Sequence, residues 1–162
     1  MTRTSHGLVS LALLLGGLVV GLVAAFLRSA AAGAVCAATT AVALVTVVYA
    51  YCGKCACRDH ACGHVVPGRV AALLPARRSR RYTRGDHLAV AVSFVALIGV
   101  PQLSLWRIPA LGVSFCVLVV AAVVEIRRFV CPGCENDLCA VRPGARERNG
   151  LSDASPPLSG RG

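Results

Sequence analysis

Four long apolar runs, broken by only a few polar residues, set the pattern of the chain: Leu8–Leu27, Ala30–Tyr51, Leu88–Leu105 and Ile108–Ile126. A helix rises about 1.5 Å per residue, so a run of about 20 apolar residues crosses a hydrocarbon core about 30 Å thick. Each run therefore predicts a transmembrane helix, and the only formal charge in any of them is Glu125, at the end of its run where it reaches the headgroups. Arg28-Ser29 and Trp106-Arg107 separate the members of each pair. Breaks this short make two tight helical hairpins, and the expected fold class is an all-α membrane protein of four transmembrane helices.

The first run does not read as a cleaved signal peptide. It exceeds the roughly 7–15 residues of a usual signal core, and a second apolar run follows directly after Arg28. Val35 also stands where a lipoprotein signal before Cys36 needs a small residue. Composition agrees with the membrane class. The 162 residues are 56% apolar, with a mean hydropathy of +0.70, against roughly 45–50% apolar usage in soluble domains.

Charge supplies the orientation. With the amino terminus inside, every Lys and Arg except Arg28 and Arg107 falls in a cytoplasmic segment, which is the bias that basic residues in short loops impose. The expectation is a multi-pass plasma-membrane protein with both termini cytoplasmic. The net charge of +10 does not imply a nucleic-acid partner. Arg77, Arg78, Arg80, Arg81 and Arg84 directly precede a membrane helix with only Tyr82 among them, so topology and anionic lipid contact account for the cluster.

An offset of 79 residues aligns Arg28 with Arg107, Gly33 with Gly112, Cys52 with Cys131 and Cys55 with Cys134. Each half reads helix, outer Arg, helix beginning near a Gly, then CxxC at the inner end. Two helices per half bring both halves in and out on the same side, a parallel repeat about an axis along the membrane normal. The resulting organisation is a first hairpin with its cysteine knuckle over 1–64, a basic linker over 65–87, a second hairpin with its knuckle over 88–142, and a tail over 143–162 rich in Gly, Ser, Pro and Arg that predicts disorder. Within the linker, Val65–Ala76 is apolar but too short to span, and predicts a short interfacial helix between Pro67 and Pro75. Gly17 and Gly21 form a GxxxG that gives the first helix a close-packing face. Pro101 and Pro109 are expected to bracket the outer turn of the second hairpin, with Trp106 as an interfacial anchor.

Nine cysteines are many for such a protein. Cys36 and Cys116 fall within helices and read as small packing residues. The other seven lie on the inner side: Cys52, Cys55, Cys57, Cys62, Cys131, Cys134 and Cys139, with His60 and His64 beside them. A CxxC sets two sulfurs on one side of a tight turn, where both can reach one ion; Pro132 and Gly133 suit that turn. Two such pairs supply the four thiolates of a structural zinc or an iron–sulfur site. Cys57, Cys62, Cys139, His60 and His64 could extend that set or complete a second one.

The knuckles Cys52-Gly53-Lys54-Cys55 and Cys131-Pro132-Gly133-Cys134 resemble those of rubredoxins and zinc ribbons, where CxxC turns are paired. The resemblance covers these turns alone and implies metal-binding geometry, with Ala56 and Glu135 where those knuckles usually carry Gly. The competing chemistry is thiol–disulfide exchange, for which Lys54 and Arg58 would favour the thiolate. The helix count is similar to that of membrane oxidoreductases of the disulfide-bond-forming B and vitamin K epoxide reductase type. Those place their working cysteines on the oxidising side, whereas charge places these in a compartment that keeps thiols reduced. Soft-metal transport through Cys36 and Cys116 is the third class, against the scarcity of polar groups at depth. The leading expectation is a cytoplasmic-face zinc, iron or iron–sulfur site that carries electrons or binds a redox partner, with no catalytic residue assigned.

Overall fold

The computed structural model describes residues 2–55, 63, 65–74, 82–132, 134 and 136. They form five helices and, among the described residues, no strand: α1 Arg3–Arg28, α2 Ala30–Ala50, α3 Val65–Leu73, α4 Arg84–Leu105 and α5 Pro109–Glu125. The helices α1, α2, α4 and α5 are long and apolar enough to span a membrane. The protein is thus an all-α, multi-pass membrane protein.

The ends of these helices follow from local chemistry. Thr2 is extended, and its hydroxyl accepts a hydrogen bond from the Ser5 amide at 3.3 Å. That cap starts α1 five residues ahead of the apolar run. At the other end the extended Ser29 closes α1 through its amide to the Ala25 carbonyl, and opens α2 by accepting from the Ala32 amide at 3.1 Å. A single residue therefore turns the chain from one span into the next. In α4 the Thr83 hydroxyl accepts from the Asp86 amide while the Asp86 carboxylate accepts from the Thr83 amide at 2.7 Å. This capping box moves the start of α4 back to Arg84, four residues before the apolar run.

The short helix α3 forms where the apolar linker predicts one, with Ala71 fully buried against the end of the bundle. Pro75 and the residues after it up to Arg81, and the tail, lie outside the described residues. Pro109 opens α5 at its first turn, as expected. Pro101 does not bracket the turn: it lies inside α4. Its ring is buried against Gly21 of α1, and packing on the glycine offsets the missing amide near the end of the helix.

The pairing of helices interleaves the hairpins. The most extensive contacts are α1 with α5 and α2 with α4; α1 also packs on α2 and α4, whereas α4 and α5 barely touch. The GxxxG face of α1 makes the close approach. A Cβ on Gly17 would lie 3.3 Å from a Val119 methyl, and one on Gly21 would lie 2.9 Å from Pro101 Cβ. Ala24 of α1, Leu105 of α4 and Phe115 of α5 close the core beside them, with Val20, Leu111 and Val119 around. Most other large apolar side chains point outward, as lipid contact requires.

The ends of the helices away from the CxxC turns are tied by Arg28. The amides of Trp106, Arg107 and Ile108 bond the carbonyls of Gln102, Ser104 and Leu105. The Leu103 carbonyl that this pattern leaves receives Nη1 of Arg28 at 3.0 Å. Trp106 projects from the turn, 81% exposed, where an interfacial indole is expected. Cys36 is buried, as a packing cysteine should be, but Cys116 is exposed. It lines an apolar groove of about 480 Å³ left where α4 and α5 diverge, opposite Gln102. The reading of Cys116 as core packing is therefore corrected: it faces this groove, with the Gln102 amide nitrogen 4.0 Å from its sulfur.

Candidate functional site

The two CxxC turns are built alike. In the first, α2 gives way to a 3-10 turn over Cys52–Lys54, and the Cys55 amide bonds the Cys52 carbonyl at 3.2 Å. In the second, α5 widens into a π turn over Ile126–Val130, the Cys131 amide bonding the Ile126 carbonyl at 2.8 Å. The Cys134 amide then bonds the Cys131 carbonyl at 3.1 Å. The same four-residue closure thus turns both pairs. π turns recur at functional sites because they re-aim the chain at a helix end; here the turn hands α5 over to Cys131.

Both turns lie at the end of the bundle that carries the start of α1 and α4. His6 Nδ1 pairs with Glu125 Oε1 at 2.5 Å, and the His6 ring stacks on Phe129 with centroids 4.4 Å apart. These contacts fix the beginning of α1 against the end of α5. The Tyr51 hydroxyl shares a 2.6 Å hydrogen bond with His87 Nδ1, fixing the end of α2 against the beginning of α4. Sequence reasoning overlooked this pair of posts, although a signal was present. Thr2-Arg3-Thr4-Ser5-His6 and Thr83-Arg84-Gly85-Asp86-His87 share the frame Thr-Arg-x-x-His, and each Thr is the helix cap.

Lys54, inside the first CxxC, is 5% exposed. Its ammonium group pairs with Asp86, whose Oδ2 also accepts from the Thr83 amide and hydroxyl. A buried cation needs such a partner, and here the partner also caps α4. The pair with Asp86 fastens the first turn to α4. Arg58 lies outside the described residues.

Asn136 joins the two turns. It is 4% exposed, and its amide nitrogen donates to the Cys55 sulfur at 3.5 Å and to the Tyr82 hydroxyl at 2.9 Å. The Tyr82 hydroxyl in turn donates to the Tyr51 carbonyl at 3.3 Å, and the two Tyr rings lie 4.8 Å apart. A residue two positions past Cys134 therefore touches the second cysteine of the other turn. Nothing in the sequence marked Asn136, because a lone Asn in a polar loop has no periodicity or spacing to identify it.

Of the expected ligands, Cys52, Cys55, Cys131 and Cys134 stand at this end of the bundle. Cys57, Cys62, Cys139, His60 and His64 lie outside the described residues. Among the described residues, no group of three or more His, Cys, Asp or Glu side chains is gathered as a ligand set. Arg3 approaches the same region: Gly63 of the cysteine-rich loop sits against both Arg3 Nε and Val130. No family model, curated protein or solved structure matches the chain.

Proposed function

We propose that this membrane protein binds a soft metal ion, zinc or iron alone or in an iron–sulfur cluster, at one end of its helical bundle. Cys52, Cys55, Cys131 and Cys134 would be the principal thiolate ligands. The observation that carries the reading is the bridge from Asn136 to Cys55, which connects two CxxC turns of the same closure. CxxC pairs of this kind suit a tetrahedral thiolate site. The final approach of the second pair to the first would accompany metal entry, since binding energy and local folding are coupled at such sites. Cys57, Cys62, Cys139, His60 and His64 are the reserve from which a cluster or a second ion would draw. A site of this kind suits electron transfer or docking of a redox partner.

The basic residues support placing this end in the cytoplasm, with both termini inside the plasma membrane. Duplication of the hairpin is supported by equivalences beyond the cysteines. Gly33 faces Phe26 and Gly112 faces Leu105, residues also related by the 79-residue offset. The cross-pairing of α1 with α5 and α2 with α4 is the exchange that a two-fold axis along the membrane normal would produce.

The test is metal content together with the absorption spectrum of protein purified without oxygen. Stoichiometric zinc or iron, lost when all four cysteines are replaced by Ser, is expected. Absence of both metals, with unchanged stability in the fourfold Ser variant, would overturn the reading.

A further inference from the structure

We propose that Asn136 is the positioning residue that couples the two CxxC turns, holding the Cys55 sulfur through one amide hydrogen while Tyr82 holds the other. The inference deepens the metal reading and rests on it for what the coupling serves. Three observations converge. Asn136 is almost fully buried although it belongs to a polar stretch. Its amide offers two hydrogens, and they go to two groups distant in the chain: the Cys55 sulfur at 3.5 Å and the Tyr82 hydroxyl at 2.9 Å. Both acceptors are themselves fixed. The amide of Cys55 is bonded to the Cys52 carbonyl, and the Tyr82 hydroxyl is bonded to the Tyr51 carbonyl, at the junction of α2 with the first turn.

The chemistry explains why an amide is suited to the post. Sulfur is a weak acceptor and a long-reaching one, and it gains most from a donor when it carries charge as a metal ligand. A carboxylate at position 136 would offer acceptors alone to the sulfur. An aliphatic residue would fill the space and leave the Tyr82 hydroxyl without its donor. Partners of ligands, rather than ligands, set ligand orientation, and their loss at other metal sites costs roughly 10–100-fold in affinity. By this logic Asn136 fixes the sulfur of the first turn relative to the second turn, so that an ion held by one pair meets the other in register.

The experiment uses the full chain in detergent micelles, with Asn136→Ala, Asn136→Asp and Tyr82→Phe variants. In metal-free protein, alkylation of individual cysteines by N-ethylmaleimide is followed by mass spectrometry at one fixed pH above the ordinary thiol range, where access to the sulfur rather than its ionisation sets the rate. Asn136→Ala is expected to raise the Cys55 rate severalfold, and Tyr82→Phe to raise it less. Buried Cys36 should stay unreactive in every variant, which certifies an intact bundle. Co2+ is then added: the thiolate-to-cobalt absorption band should shift in Asn136→Ala and Asn136→Asp, and Co2+ should pass to a chelator about tenfold faster or more. An unchanged Cys55 rate in metal-free Asn136→Ala, with Cys36 protected, overturns the proposal. If the wild-type chain takes up no Co2+, the metal reading is lost while the alkylation measurement still decides the role of Asn136.

Discussion

Replacing Gly21 by Ala tests the packing argument at its tightest point. The new Cβ would lie 2.9 Å from Pro101 Cβ, 3.2 Å from Pro101 Cγ and 3.4 Å from Phe115 Cε2. Favourable carbon contacts begin near 3.5 Å, so α1 and α4 must separate by about 0.6 Å. The obstructing atoms belong to a ring locked onto its backbone and cannot swing aside. Overpacking of this kind costs about 1–3 kcal/mol, while Gly→Ala in a helix returns up to about 1 kcal/mol. Gly17→Ala is the internal control. It makes the same propensity gain, but its nearest neighbour is a Val119 methyl at 3.3 Å, which can yield by a few tenths of an ångström. Gly21→Ala should therefore be less stable than Gly17→Ala by about 1–2 kcal/mol. Cys36, 2% exposed, reports opening of the bundle, and its alkylation rate under mild denaturing detergent should be about tenfold faster in Gly21→Ala for about 1.4 kcal/mol of destabilisation. Adding Pro101→Ala should remove most of the difference. Equal Cys36 rates in the two glycine variants would refute the reasoning, and so would a pair of effects in the reverse order.

Three further outcomes are expected. Lys54→Met removes the cation beside the buried Asp86 carboxylate, which keeps its Thr83 hydrogen bonds, and should cost about 3 kcal/mol, with Lys54→Met/Asp86→Asn recovering part of it; thermal unfolding in detergent measures both, and wild-type stability of the single variant would show that the pair is not what fastens the first turn. Arg28→Ala uncovers the Leu103 carbonyl at the end of the bundle away from the CxxC turns and should cost about 0.5–1.5 kcal/mol, read by the same Cys36 assay, with no change meaning that water replaces the guanidinium at no cost. A membrane-impermeant maleimide should label Cys52, Cys55, Cys131 and Cys134 in inside-out vesicles but not in intact cells; labelling of intact cells would reverse the orientation that the charges imply.

The spans were legible because a bilayer imposes a simple length and composition rule, and Leu8–Leu27 or Ile108–Ile126 satisfies it without reference to any partner. The ends of the helices were less legible. The start of α4 depends on whether Thr83 and Asp86 reach each other's backbone, and a hydropathy pattern is blind to that. Pro101 misled for a related reason: proline suggests a helix boundary from sequence, and only the facing Gly21 makes a place for it inside α4. The four cysteines of the candidate site were legible from spacing. Lys54, Asp86, Tyr82 and Asn136 were not, since their roles arise between segments far apart in the chain. His6 and His87 were recoverable, but through the frame Thr-Arg-x-x-His at a spacing of 81 rather than 79 residues. The two-residue difference falls within the first helix of each half and hid the match.

The cross-pairing of α1 with α5 also dictates an order of events during synthesis. The glycine face of α1 enters the bilayer first, yet the helix that contributes Phe115 and Val119 to it is the last span to emerge. Until α4 brings Pro101 to Gly21, the face built for closest approach is left to lipid or to α2. The native bundle becomes available only when α5 arrives and takes its place beside Gly17. The second CxxC is carried at the end of α5, so the two turns stand at the same end of the bundle only once the fourth span is in place.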